Sequence, residues 1–203
     1  MILRMKMNKM KVYKKYAIFI FLLIILLIFI PFVQSLLFTQ SNIVHGRIAV
    51  NETIEVPFLT GHKKDTIVLF FGYVGCTEVC APILKELKSM YEKQEFEKFY
   101  SSVDIIFVNL LSKVKPAEAN RFAETFNKNF QGIYLSQSQL FKIERKFRLF
   151  FSQNLLNKTK LNHTDYIYLI ERQNNGQFIL KNIYNTHPFM ADALINDLNL
   201  IRK

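Results

Sequence analysis

Phe70 to Pro82, FFGYVGCTEVCAP, holds both cysteines of this 203-residue chain, Cys76 and Cys80. It closes a continuous apolar, β-branched and aromatic run, Thr66 to Phe71 (TIVLFF), which is how a strand buried on both faces reads. From Cys80 to Lys98, Ile83, Leu84, Leu87, Met90 and Tyr91 recur at helical spacing with Lys and Glu opposite them, predicting an amphipathic helix. Pro82 suits its first turn, where no backbone donor is lost, and Gly72 and Gly75 bracket the preceding loop. The two thiols therefore fall at a strand-to-helix corner, the place where ligands gather in open α/β sheets.

The same alternation continues outward. Val103 to Val108 reads as a second buried strand, and Pro116 opens a helix through Ala119, Phe122, Ala123 and Phe126. Gly132 to Leu135 is a short strand, and Gln137 to Phe147 a third helix with Leu140, Phe141, Ile143 and Phe147 inward. Ser152 to Asn162 is polar and reads as an exposed loop. Tyr166 to Ile170, the turn Gln173 to Gly176, and Phe178 to Tyr184 form an antiparallel hairpin, and Pro188 starts a closing helix. This order predicts an α/β, thioredoxin-like fold: a mixed sheet flanked by helices, over 65–203.

The net charge of +11 is uneven: six of the 27 basic residues lie among Arg4, Lys6, Lys9, Lys11, Lys14 and Lys15, and no acidic residue precedes Glu52. The remaining 21 basic residues face 16 acidic ones without an Arg-rich run, so no nucleic-acid partner is expected. Residues 1–15 read as a cytoplasmic basic segment and 16–38 as a transmembrane helix, Tyr16 to Val33 being free of charge. The positive-inside rule then places everything after about Gln40 outside the cytoplasm. A cleaved signal peptide is the rival reading, but the apolar run is long and ends in QSLLFTQSN without a small-residue cleavage site. Residues 39–64 hold short β-like stretches broken by Gly46, Pro57 and Gly61, expected as a lead-in hairpin or extended arm.

Outside the cytoplasm, a close thiol pair is oxidised, used in exchange or metallated. A purely structural disulfide across three residues closes too small a loop to remove much chain entropy. Cys80 at a helix N-terminus is expected to have a stabilised thiolate, which makes the pair redox-competent or ligating. Two thiolates favour Cu(I) or Zn(II), and such an ion needs a further donor, most naturally a histidine. Of His45, His62, His163 and His187, His163 stands out, just before the strand DYIYLI and at the mouth of a loop that can fold back over the thiols.

VLFFGYVGCTEVCAPILKEL resembles the metal-binding signature of the SCO/SenC family, FxGYTxCPxxCP, and NHTDYIYLI followed by NNGQF resembles that family's DHSxxxYLxDxxG segment. The resemblance runs from about Ile48 to Ile201. It implies Cys76, Cys80 and His163 as copper ligands, for Cu(I) and with a further weak ligand Cu(II). It also implies an inner-membrane protein with a periplasmic domain that delivers copper to cytochrome c oxidase subunit II, or to another copper or thiol protein, or keeps that site's cysteines reduced. An extracytoplasmic thiol-disulfide oxidoreductase using Cys76 and Cys80 is the enzymatic alternative. Thr77 and Ala81 stand where the family has prolines, Glu78 where an Asp is common, and Leu111 where the family's VDP segment carries an acid.

Overall fold

The computed structural model describes residues 16, 19–27, 29–30, 33, 46–155 and 160–202. The chain divides into two units, 1–43 and 44–203. In the first, residues 19–27 are helical and their large apolar side chains are exposed. Among the described residues no helix is long and apolar enough to cross a membrane. The basic segment 1–15 and His45 lie outside the described residues, as do 17–18, 28, 31–32 and 34–38 of the expected span over 16–38.

In the second unit, a six-stranded sheet has the order β1-β8-β7-β2-β3-β4. Its strands are β1 (Arg47–Ile54), β2 (Thr66–Gly72), β3 (Val103–Asn109), β4 (Phe130–Tyr134), β7 (Ile167–Arg172) and β8 (Phe178–Tyr184), while β5 (Phe151–Gln153) and β6 (Leu161–His163) form a separate ribbon. The helices are α1 (Cys80–Tyr91), α2 (Pro116–Glu124), α3 (Gln137–Glu144) and α4 (Ala191–Ile201). β2 pairs parallel to β3 and antiparallel to β7, so the sheet is mixed, as the order of elements predicts.

Every residue of β2 and β3 is buried. The period-two pleat divides their side chains between two cores. Val68, Phe70, Ile105 and Phe107 meet Leu84 and Leu87 of α1 and Leu194 and Leu198 of α4. Ile67, Leu69, Phe71 and Ile106 meet Leu140 and Ile143 of α3, with Phe147 beyond it. A continuous apolar run, without alternation, is the pattern a strand covered on both faces requires.

The expected lead-in arm is instead a sheet strand from Arg47 to Ile54, antiparallel to β8. A bulge between Ala49 and Glu52, with Asn51 at a φ of 54°, interrupts the alternation that would mark this segment as one strand. β1 is tied to α4 where Arg47 meets Asp197 at 2.7 Å. The buried Asp197 also accepts from the Tyr184 hydroxyl at 2.5 Å and the Asn182 amide at 3.0 Å. The helix expected to run to Lys98 ends at Tyr91 and continues as a short 3-10 turn, Gln94–Phe99. α3 begins at a capping box, in which Ser136 and Gln139 exchange hydrogen bonds, and ends at Glu144. The closing helix starts at Ala191, not at Pro188. The expected loop over 152–162 includes β5 and β6, whose pairing sets Phe151 opposite His163.

Candidate metal centre

β2 ends at Gly72, where a side chain has no room: a Cβ there would stand 2.8 Å from Cys80 Sγ and 3.0 Å from the Phe70 and Phe107 rings. The glycine lets the Cys80 sulfur pack directly on the strand. The chain then turns, with Cys76 N–H donating to the Tyr73 carbonyl at 3.1 Å and Gly75 at a φ of +87°. α1 begins at Cys80, and its N-cap residue, Val79, has no side-chain acceptor. Cys76 Sγ fills that role by accepting from Cys80 N–H at 3.3 Å.

This arrangement reverses the expected roles of the thiols. The Cys80 S–H donates to the Cys76 sulfur, and with the N–H groups of Cys80 and Val79 and the Tyr73 hydroxyl this brings the Cys76 thiol down to about 4, against the opposing effect of burial. Cys80, expected to be the stabilised thiolate, is instead pushed up, by its hydrogen bond to Cys76 and then by burial. The helix N-terminus acts on the residue lying beyond its first N–H, not on the residue that begins it. Burial and the hydrogen bond to Cys76 likewise raise Tyr73 to about 12.

The β5–β6 ribbon brings in His163. Its Nε2 lies 3.5 Å from Cys80 Sγ, and Nδ1 donates to the Thr164 carbonyl at 2.8 Å, which turns Nε2 toward the thiols. The Tyr73 ring stands edge-on to the imidazole at 5.8 Å. On the surface, Lys160 of the ribbon pairs with Glu78 of the cysteine loop. The ligand atoms of Cys76, Cys80 and His163 all lie within 4.8 Å of one another, with both cysteines buried and reduced. The other described histidines are engaged elsewhere: His187 with Asp165 at 3.1 Å and His62 with the buried Asp104 at 3.5 Å.

The SCO1/SenC family matches residues 62–197, about two thirds of the chain. The chain belongs to the SCO1/SenC family. Among solved structures of this family, apo Sco1 from Thermus thermophilus is 24% identical with a TM-score of 0.58, over 78% of this chain and 94% of that one. A SCO1/SenC family lipoprotein from Bacillus anthracis is 16% identical with the same TM-score, 0.58, over 78% and 97% of the two chains. Copper-bound ScoI from Bradyrhizobium japonicum is 22% identical with a TM-score of 0.52, over 66% and 84%. Among curated proteins none matches the chain. These likenesses bear out the thioredoxin-like fold.

The sequence reading missed Tyr73, which lies inside the quoted signature and whose hydroxyl hydrogen-bonds to the Cys76 sulfur.

The acidity of Cys76 makes stability depend on pH. The folded thiol titrates at about 4 and the unfolded one at the ordinary 9.0, so between these values the unfolded chain holds one more proton and stability rises with pH. The contribution is complete above the unfolded value and is lost as pH falls through the folded one. Urea unfolding of the reduced, metal-free chain should show wild type gaining stability over Cys76→Ser from about pH 5 to about pH 8. Parallel profiles for the two proteins would show that Cys76 is not ionised in the fold.

Proposed function

We propose that this chain is a membrane-anchored copper carrier. Cys76, Cys80 and His163 hold the ion, and its destination is the copper site of cytochrome c oxidase subunit II. The observation that carries this reading is the gathering of two thiols and an imidazole nitrogen within 4.8 Å on an SCO1/SenC domain. The donor set fits the cargo: two soft sulfurs and one nitrogen suit Cu(I), and a fourth, weaker donor would admit Cu(II). Copper-bound structures of family members from Bradyrhizobium japonicum and yeast support the choice of metal. The exposed apolar helix at 19–27 and the basic residues before it support anchoring, with the domain on the outer side of the inner membrane.

The residues divide the work. Cys76 offers a sulfur already ionised at neutral pH, so binding there displaces no proton. Cys80 must give up its proton on metallation. His163 is oriented by its bond to Thr164 and is presented by the ribbon.

Anaerobic titration of the detergent-solubilised chain with Cu(I), in competition with a chromophoric chelator, tests this. Wild type should take up one ion, and His163→Ala should lose roughly tenfold in Cu(I) affinity and more for Cu(II), where nitrogen donors matter more. Equal affinities for His163→Ala and wild type would overturn the three-ligand centre.

The pairing of an acidic Cys76 with a protonated Cys80 also favours a second reading, thiol-disulfide exchange. The Cys76 thiolate would attack a partner's disulfide and release one partner thiolate. Cys80, once deprotonated, would then displace the second, leaving a Cys76–Cys80 disulfide and a reduced partner. A family member from another source is described as having a disulfide switch. Turnover of a disulfide substrate without copper would favour this reading.

A further inference from the structure

The cysteine loop rests on a buried amide. Asn109 is the last residue of β3, pairs with Gly72 in the sheet register, and is fully buried. Its Oδ1 accepts from Val74 N–H at 3.1 Å, in the loop between Gly72 and Cys76, and its Nδ2 donates to the Leu111 carbonyl at 2.7 Å. Leu110 N–H donates to the Gly72 carbonyl at 2.7 Å, so the two strand ends are clamped side by side. Nothing else in the described hydrogen bonding takes up the Val74 N–H.

We infer that Asn109 is a positioning residue for the centre: its side chain docks the Tyr73–Gly75 turn onto β3 and thereby fixes where the Cys76 sulfur stands relative to Cys80 and His163. The inference rests on the reading of those three residues as the working site. Two physical points single out an asparagine. The side chain must accept on one side and donate on the other, which a carboxylate cannot do and an aliphatic side chain does not attempt. Val74 N–H is half-buried and loses its partner when the side chain is lost, whereas the Leu111 carbonyl still accepts from Val114 N–H at 3.3 Å. Leu111, apolar where an acidic residue is expected by resemblance, packs against one core and Leu110 into the other, which leaves the polar support of the loop to Asn109.

The experiment uses the full chain in detergent and compares Asn109→Leu, Asn109→Asp and a control, Asn182→Leu, which removes a buried amide at the far side of the sheet. Three quantities are read: hydrogen exchange of the Val74 amide, the equilibrium constant for oxidation of the cysteine pair against dithiothreitol, and Cu(I) affinity. Asn109→Leu should speed Val74 exchange at least tenfold and move the other two constants about tenfold. Asn109→Asp keeps an acceptor for Val74 and loses the donor to Leu111, so it should preserve Val74 protection while shifting the dithiol constant severalfold. Asn182→Leu should lower the thermal midpoint without moving any of the three.

The inference is overturned if Asn109→Asp matches wild type in all three, or if the control moves them as far as the Asn109 variants do. Should Asn109→Leu fail to fold, Asn109→Asp still decides. Should wild type bind no copper, the copper reading fails, while exchange and the dithiol constant still test Asn109.

Discussion

Cys80→Ala is expected to lower Cu(I) affinity by at least a hundredfold and at the same time to make Cys76 a far weaker acid. The first effect follows from ligand count. Structural metal sites with four protein ligands are worth about 10–16 kcal/mol, roughly 3 kcal/mol per donor, and a three-donor centre has no spare ligand. The second follows from the hydrogen bonding, because the Cys80 S–H is the largest contributor to bringing Cys76 down to about 4. Its removal leaves the Cys76 sulfur with the N–H groups of Cys80 and Val79 and the Tyr73 hydroxyl, while burial continues to oppose the charge.

Two measurements on one variant separate these effects. Chelator competition reads the affinity, and the pH profile of Cys76 alkylation, followed by peptide mass, reads the acidity. Wild-type Cys76 should react at a rate nearly independent of pH above about 5, whereas in Cys80→Ala the rate should climb with pH through the neutral range. An unchanged profile would mean that backbone donors alone hold the thiolate. Unchanged copper affinity would remove Cys80 from the centre.

The contrast between the two thiols shows how far the sequence could be read. The strand-to-helix corner was legible because TIVLFF and the spacing of Ile83, Leu84 and Leu87 are local patterns, each set by one element's period. The presence of two reactive thiols there was equally plain. Which of them is acidic was not, because it depends on which sulfur faces the first free N–H of α1, a matter of loop geometry within a few ångströms. His163 was reachable through its position before a strand and through the resemblance of its neighbours. The ribbon that presents it was not, since β5 and β6 are three residues each and carry polar side chains that read as loop. β1 was hidden for a related reason: a bulge at its middle breaks the alternation by which a strand is recognised. Asn109 was invisible because its work is done across the sheet, on Val74, 35 residues earlier in the chain.

Gly132→Ala should destabilise this domain strongly. Gly132 lies in the middle of β4, beside α2, and a Cβ there would stand 2.0 Å from the Ala119 carbonyl oxygen, 2.2 Å from its carbon and 2.5 Å from the Asn120 nitrogen. All three are backbone atoms of a helix, so no side chain can swing aside. The close approach is built in from both sides: Ala119 and Ala123 are small and fully buried, and Asn120 Oδ1 accepts from Gly132 N–H at 2.9 Å. Relief requires α2 to move off the sheet, which breaks that hydrogen bond and opens the packing of Ala119 and Ala123. A cost of about 3 kcal/mol or more is expected, equivalent to a fall in thermal midpoint of roughly 6–12 °C for a chain of this size. Gly61→Ala supplies the comparison, because a Cβ there meets nothing within 4 Å, and it should be nearly neutral. β4 is an outer strand two places from β2, so Gly132→Ala molecules that do fold should still bind copper with wild-type affinity. A midpoint within about 2 °C of wild type would show that α2 sits farther from the sheet than the 2.0 Å clash requires.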